Sequence, residues 1–546
     1  MTIRAIYQTW VLSSRDISRG LSCQHCTDLA MAVATKNPQA LAKIDGHKPD
    51  LSEVLAVIQG NDYEDMLVAQ LRENLPSGEF IELEKFSPVA KTIEVLEAKP
   101  MAVAQAGLEK SYGEVVLVGY ADLLVRDDFE PGLASDGTLT LLPSGKEFTG
   151  YTVWDIKHNA NVKPEHLFQV GGYIECLLAI GSLSSHSKSG IITRSREAVG
   201  HESSELISIF QEASKAMFES LSKISPKEFR LNPGFVYECQ ASSVCKKVYC
   251  EYPSLCEQER YNRDDLSQLY GFSDRYHRAN LEAAGFDTVA SIAAANPEDL
   301  KGVIPPEQVS KYQPWAKIIV SGKALGEPKM ASLVEPSEFR TLLPAKNEGD
   351  LFVDYEWYQP TGEATDLVYM LSATDWDKEF YPYVAKSREE ELKAFQDFVG
   401  FLLERIDKFP QAHIYHFHNP ETKKLEELSS RYSVLKDEVA KVMERMFDIK
   451  KHVVDGRMVT SLGKLGIKQL GKFYDSDHGG SNWPGTDDAV EDGLDSMKFF
   501  YDYLAARDSG DSAKAEGIMK NILDYNRADC TATSGLYTWL HNGEFH

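Results

Sequence analysis

No stretch of this chain stays apolar over the roughly 20 residues that span a bilayer. The opening MTIRAIYQTWVLSSRD lacks the basic start and apolar run of a secretory leader. The expectation is a cytoplasmic protein with no membrane partner. Missing too is any Gly-x-x-x-x-Gly-Lys-Ser/Thr loop, which excludes a recognisable P-loop ATPase. Positive charge is scarce: 58 lysines and arginines face 83 acidic residues, a formal net charge of -25. That balance argues against coating nucleic acid through an average field and leaves room only for a local basic groove. Cysteine is sparse as well, at 8 residues, yet Cys239, Cys245, Cys250 and Cys256 crowd together. In a reducing compartment such crowding points to a metal site more than to disulfides.

What is present divides into parts, because 546 residues exceed what one hydrophobic core holds. Residues 1–256 read as one α/β domain, with a helical DLSEVLAVIQGNDYEDMLVAQLREN and a strand GEVVLVGYADLLV. Residues 257–325 give short helices punctuated by Gly285 and by Asn296 with Pro297, a helical connector. Residues 326–348 carry three prolines and little periodicity, which reads as a linker. From 349 to 546 the pattern restarts with LFVDYEW and DLVYMLSA as strands. A helix follows, opened by Ser387 with Glu390 as a capping box and carrying Leu392, Phe395, Val399, Leu402 and Ile406 on one face. The acidic, Gly-rich DSDHGGSNWPGTDDAVEDG reads as a mobile loop, and there is no internal repeat.

The stretch YTVWDIKHNANVKPEHLFQVGGY starts as a strand and then sets Asp155 two residues before Lys157. Strand alternation places Tyr151, Val153, Asp155 and Lys157 on one face, so carboxylate and ammonium emerge side by side. A carboxylate can hold a divalent metal while the neighbouring cation steadies an attacking water or a developing phosphorane charge. Upstream, Asp122 falls just beyond a strand, near a Gly119 that suits a tight bend, and Glu64 lies near a helix start, which supplies two more oxygen ligands. Downstream, Pro164 and Glu165 suit a first helical turn, and Gln169 and Tyr173 share a face at four-residue spacing. Gly171 and Gly172 cost that helix about 1 kcal/mol each relative to alanine, which makes sense where something approaches the backbone closely, a nucleic-acid strand being one candidate. The bland alternative is a surface ion pair worth ~0 to 1 kcal/mol.

Glu64, the GYAD Asp122, the DIK pair Asp155 and Lys157, and QVGGY with Gln169 and Tyr173 resemble, in order, the PD-(D/E)XK nucleases of the RecB-like branch. The resemblance implies a restriction-endonuclease-like domain in which Glu64, Asp122 and Asp155 hold Mg²⁺ or Mn²⁺, Lys157 assists the water, and Gln169 with Tyr173 position the strand. Iron-sulfur members of that branch join one early cysteine to three late ones, and SCQHC with CKKVYCEYPSLC looks like that arrangement. The implied ligands are Cys23, Cys245, Cys250 and Cys256, for a 4Fe-4S cluster or, as four thiolates equally allow, structural zinc. Lys247 stands where the family usually has a cysteine, so Cys245 substitutes through a longer spacing. Cys176 and Cys530 read as packed thiols.

In the second half LFVDYEW puts Asp354 and Glu356 on one strand face, and LDYNRADC puts Tyr525 and Asp529 four apart on a helix. Together these resemble the DEDD exonuclease branch of RNase H-like folds, in its Tyr-x-x-x-Asp version. That implies two Mg²⁺ or Mn²⁺ ions about 3.5 to 4 Å apart on Asp354, Glu356 and Asp529, with Tyr525 orienting the water. The family's middle motif has an aspartate after an asparagine; here Asn419 and Glu421 stand there, with Asp455 as a substitute. His413, His416 and His418 read as hydrogen-bonding neighbours more than as a transition-metal set, since hard ions prefer oxygen. Lys464, Lys468 and Lys472 repeat every fourth residue, a helical face suited to phosphates or simply to solvent. AAGFDTVAS resembles a helix-hairpin-helix only faintly and carries no function.

The fold class expected is therefore α/β and multidomain, an N-terminal PD-(D/E)XK domain and a C-terminal RNase H-like domain around a helical connector. The order of motifs, with GDLFVDYE, AHIYHF and ILDYNRADC, resembles bacterial RecB-like nucleases that carry an RNase H-like domain and are joined to, or work beside, superfamily 1 helicases. The implied activity is metal-dependent hydrolysis of DNA, single strands or ends. Two alternatives stay open: a nucleic-acid-binding adaptor that performs no hydrolysis, and an RNA-processing nuclease, since neither carboxylate set reads the sugar.

Overall fold

Alternating apolar residues in the N-terminal half build one mixed sheet with a core on each face. The computed structural model describes residues 3–6, 8–36, 51–184, 188–229, 253–272, 275–363, 365–418, 420–474 and 493–543. It divides into two units, residues 1–259 with 360–364, and residues 260–359 with 365–546. Among the described residues no helix is long and apolar enough to cross a membrane.

In the first unit the strands are β1 (Arg4–Ile6), β2 (Thr9–Ser13), β3 (Phe80–Glu82), β4 (Ala102–Tyr112), β5 (Val115–Arg126), a separate hairpin of β6 (Phe129–Leu133) and β7 (Leu139–Pro143), β8 (Tyr151–Ile156), β9 (Lys188–Ile192) and β10 (Ala198–Glu202). The eight-stranded sheet runs β1-β2-β5-β8-β9-β10, with β4 also on β5 and β3 on β4. Alternation sorts the side chains. Val103, Leu117, Leu124 and Val153 join a core with Val170 and Ile174 of α4 (Pro164–Ala179) and Phe210 of α5 (Ser203–Leu221). Leu123, Val125, Trp154 and Ile156 face the other way, onto Tyr63, Leu67 and Leu71 of α3 (Leu51–Asn74). Ser13 caps α1 (Ser14–Ser22) in a reciprocal box with Asp16, and α2 (Gln24–Ala34) follows.

The paired glycines of α4 are explained by helix packing. A Cβ on Gly171 would stand 2.6 Å from the Leu206 carbonyl oxygen of α5, and one on Gly172 would stand 2.0 Å from Ser14 Oγ of α1. Two protein helices fill the space that the sequence reading offered to a nucleic-acid strand.

The second unit holds a five-stranded sheet, order β14-β13-β12-β15-β16, built from β12 (Leu351–Tyr358), β13 (Leu367–Thr374), β14 (Phe380–Val384), β15 (Ile414–His416) and β16 (Met446–Asp448). The first three strands in sequence pair antiparallel and the last two add in parallel. A register shift after Glu356 leaves Tyr369 as the extra residue opposite it. Phe395, Phe398, Val399 and Leu402 of α8 (Arg388–Lys408) pack on Leu351, Val353 and Leu371. Ser387 caps that helix, but the Glu390 carboxylate takes the Lys386 amide, so the box expected from the sequence is not closed. Three further helices of the unit bear on the site, α9 (Pro420–Tyr432), which carries Glu421, α10 (Gly493–Asp508) and the 31-residue α11 (Ser512–Asn542).

Residues 326–348, read from the sequence as a linker, carry structure. There β11 (Met330–Ser332) pairs with β17 (Met458–Thr460), and Pro336 opens α7 (Pro336–Leu342). Phe339 of that helix is fully buried in one core with Trp315 and Ile319 of α6 (Pro306–Leu325) and with Tyr537 and Leu540 of α11. Prolines here start elements, a use that composition does not distinguish from a free segment. The connector thus shares its core with the C-terminal sheet. The acidic Gly-rich loop lies, except for Gly493, outside the described residues.

Candidate active sites

Strand register brings the N-terminal candidates into a row. Leu123 pairs with Trp154 and Ala104 with Leu123, so one step further Asp122 of β5 stands across from Asp155 of β8 on one side and Gln105 of β4 on the other. Pairing lapses at this row, which opens the sheet there. Asp122 accepts the Ile156 amide at 2.7 Å. Asp155 is fully buried and meets Lys157 Nζ at 2.5 Å, and its oxygens take no directed hydrogen bond among the described residues. Glu64 lies midway along α3 and not near its start, and Asp122 lies inside β5 and not beyond it, because both elements run on past the expected limits. Glu64 accepts a hydrogen bond from Gln105 Nε2. Gln169 donates to the Tyr173 hydroxyl, and the Tyr173 ring lies against Gly119, where a Cβ would stand 2.4 Å from its Cδ1.

The charges of this row feel one another. Burial, with Asp155 and Glu64 nearby, pushes the Asp122 carboxyl well above its ordinary range. Burial also raises Glu64, against the pull of Lys85 and Lys157. Lys157 is held above the ordinary lysine value because Asp155, Asp122 and Glu64 outweigh the cost of burying its charge. The three carboxylates do not, however, bring one oxygen each within 4.8 Å of the other two, the spacing met elsewhere in the chain.

That spacing is met in the second unit. Asp354 and Glu356 on β12 and Asp529 on α11 place ligand atoms within 4.8 Å of one another, the one such grouping of acidic, histidine or cysteine side chains among the described residues. Strand alternation puts the first two on one face, and α11 crosses that face with Tyr525, Asn526 and Asp529. Asn526 Nδ2 donates to Asp354 Oδ2 at 2.6 Å, and Ser372 donates to Asn526 Oδ1 and, at 3.0 Å, to the Asp354 carbonyl. The bulge turns Tyr369 so that its hydroxyl lies 3.3 Å from Glu356 and 2.6 Å from Ser496 of α10. Burial and then Asp529 raise Glu356 to about 8. Burial, Asp529, Glu356 and Glu421 push Asp354 well up, with Lys468 opposing. Tyr525, buried beside Asp529, has its phenol raised as well. Three oxygen donors that repel one another this strongly suit a hard divalent cation, whose charge would relieve the repulsion.

Other expected residues go elsewhere. Glu421 is buried with an oxygen 3.3 Å from His416 Nδ1; its charge reaches Asp354, but it stays outside the close triad. Asp455, the offered substitute, pairs with Lys450 at 3.0 Å, because the turn that carries it leads away into β17. Asp448 stands nearer to Glu421 and accepts the His418 and Lys451 amides at 3.0 and 3.1 Å. Lys464, Lys468 and Lys472 do not share a helical face, since the helix spans only Ile467–Leu470, bounded by Gly466 and Gly471. Lys464 and Lys472 are exposed, whereas Lys468 Nζ lies 3.2 Å from the Tyr525 hydroxyl. His413 offers its amide to Asp350 at 2.9 Å.

Cys23 and Cys26 are buried beside Leu29 and Leu255, and Cys256 is buried next in sequence to that leucine. The early and late segments therefore meet in one apolar cluster, with His25 Nε2 3.6 Å from Glu259. Cys245 and Cys250 lie outside the described residues, as do Cys239 and Asn419. Cys176 and Cys530 are buried, with Leu117 O at 3.8 Å and Ser372 Oγ at 3.4 Å respectively.

Sequence reading missed Gln105, Asn526, Ser372 and Asp448. Asn526 had a legible signal, one residue after Tyr525 in the same motif; the others become visible only when strands are paired.

Residues 351–541 match the family model of the RNase H superfamily. The chain is thus a mixed α/β protein of several sheets with an RNase H-like C-terminal domain, a fold that points to nuclease-type action on nucleic acid. No curated protein and no solved structure matches the chain.

Proposed function

We propose that this protein is a metal-dependent nuclease that hydrolyses phosphodiester bonds of DNA, on single strands or at ends. The observation that carries the reading is the convergence of Asp354, Glu356 and Asp529 within an RNase H-like domain. These three side chains would hold Mg²⁺ or Mn²⁺. A divalent ion bound there lowers the pKa of water and neutralises charge on the transferring phosphoryl group. Asn526, itself held by Ser372, fixes the Asp354 carboxylate, and Tyr369 braces Glu356, so these two carboxylates are oriented before any cation arrives. Tyr525 presents its phenol beside Asp529 and orients the nucleophile. Glu421, held by His416, supplies negative charge at the margin of the site.

In the same reading the N-terminal row is a second, RecB-like centre: Glu64, Asp122 and Asp155 as ligands, Lys157 as the cation beside the water, and Gln169 with Tyr173 positioning the strand. The support is the shared row of Asp122 and Asp155 and the pairing of the buried Asp155 carboxylate with Lys157. Cys23, Cys245, Cys250 and Cys256 would bind a 4Fe-4S cluster or zinc, supported by the meeting of the Cys23 and Cys256 segments. A superfamily 1 helicase is the proposed partner, feeding strands to a chain that shows no P-loop of its own.

The test is cleavage of labelled single- and double-stranded DNA and RNA with Mg²⁺ or Mn²⁺ by full-length protein purified under nitrogen. Wild type, Asp354→Asn, Asp155→Ala and the double variant are compared. The expected result is loss of cleavage in the double variant and partial loss in at least one single variant. Wild-type activity in the double variant would overturn the reading. Binding without cleavage across all substrates would establish the adaptor instead.

A further inference from the structure

We propose that Lys468 is a positioning residue of the C-terminal site, fixing the direction in which the Tyr525 phenol presents its proton; this rests on the reading of that site as a phosphodiester hydrolase. Lys468 sits in the short helix Ile467–Leu470, anchored by the fully buried Leu470 in the core that also holds Leu536 and Tyr537 of α11. From this anchor its ammonium reaches Tyr525 in two ways, 3.2 Å from the hydroxyl oxygen and 4.5 Å over the ring centroid.

An ammonium has three donors and no acceptor. The phenol oxygen therefore accepts from Lys468, and the one phenolic hydrogen must point away from it. Tyr525 is almost wholly buried, and Asp529 lies one helical turn further along α11. The hydrogen goes to the Asp529 carboxylate, on the side where a nucleophile or a phosphate oxygen would stand. The hydroxyl is thus held as an acceptor by Lys468 and as a donor by Asp529, and loss of the ammonium removes one of the two holds. The same charge is felt by Asp354, so Lys468 also offsets part of the repulsion within the triad.

Two consequences follow that a packing role would not produce. Removing the ammonium should slow turnover, because the phenol loses its orientation, and it should leave divalent-cation binding as tight or tighter, because a positive charge has left the site. The experiment uses full-length protein carrying Asp155→Ala, so that only the C-terminal site is read. Cleavage of a labelled single-stranded DNA oligonucleotide and binding of Mn²⁺, followed by electron paramagnetic resonance, are measured for Lys468→Met, Lys468→Arg, Tyr525→Phe and Lys468→Met with Tyr525→Phe. The expected pattern is a kcat at least tenfold lower in Lys468→Met with KM within about twofold, partial rescue by Lys468→Arg, and a double variant no slower than Tyr525→Phe alone. Mn²⁺ affinity in Lys468→Met should equal or exceed that of the parent. An unchanged kcat, losses that multiply in the double variant, or a parallel loss of Mn²⁺ affinity would each overturn the assignment. An inactive parent in which Asp354→Asn changes nothing sinks the hydrolase reading and the role of Lys468 with it; an active parent with an unaffected Lys468→Met sinks the inference alone.

Discussion

Asp529→Asn should make the metal-free protein more stable while abolishing C-terminal cleavage. The argument starts from Glu356, whose carboxyl is raised to about 8 by burial and then by Asp529. Between its ordinary value and about 8 the folded state holds a proton that the unfolded chain has released, so stability falls as pH rises through that window. At roughly 1.36 kcal/mol per pH unit, the whole displacement corresponds to about 5 kcal/mol at pH 8 and above. Burial takes the larger share, which leaves on the order of 1 to 2 kcal/mol to the Asp529 charge. For a domain of this size that is a rise in Tm of roughly 2 to 8 °C. The assay is thermal unfolding at pH 5 and pH 8, in EDTA and in Mg²⁺. Asp529→Asn should melt higher than wild type in EDTA at pH 8 and about equally at pH 5. Mg²⁺ should raise the wild-type Tm more than that of the variant, and more at pH 8 than at pH 5. A variant that melts lower than wild type in EDTA at pH 8, or a wild type indifferent to Mg²⁺ at both pH values, would refute the reasoning.

Three further outcomes are expected. Glu175, buried in α4, would be raised by burial, but hydrogen bonds from Lys110, Tyr112 and Gln211 outweigh that and hold its carboxyl below the ordinary value. Its contribution is present above about pH 4.5 and lost as pH falls through the depressed value, so Glu175→Gln should cost about 2 to 3 kcal/mol at pH 7 and flatten the acid limb of a denaturation series. Gly171→Ala forces α4 and α5 apart and should cost about 1 to 3 kcal/mol in urea unfolding with no change in DNA affinity; a loss of affinity at full stability would restore the nucleic-acid explanation of that glycine. Gln105 holds a left-handed backbone at φ 57 inside β4. Gln105→Gly should gain up to about 1 kcal/mol by relieving that strain while releasing Glu64, so N-terminal cleavage measured in an Asp354→Asn background should drop as stability rises.

Periodicity carried much of the C-terminal domain. The alternation in LFVDYEW and the four-residue spacing of Tyr525 and Asp529 were enough to align three carboxylates, because a strand and a helix each repeat their faces regularly. Periodicity also misled. Lys464, Lys468 and Lys472 keep the helical interval, but Gly466 and Gly471 cut the helix to one turn, and tertiary packing sends Lys468 inward while its neighbours stay outside. The glycine pair in α4 signalled a close approach correctly and left its occupant open, since a sequence does not say which helix crosses which. Register was the least visible quantity. That Gln105, Asp122 and Asp155 line up across three strands depends on pairings between residues far apart in the chain, and no local pattern encodes them.

The length of α11 has a consequence for where damage can be done. Tyr525, Asn526 and Asp529 ride near its middle, while Tyr537 and Leu540 seat its far end among connector residues such as Trp315. The helix behaves as a crankshaft held at a bearing well away from the carboxylates. Loosening that bearing, for instance at Trp315 or Leu540, would tilt all three groups together and blunt the site without touching any side chain in it.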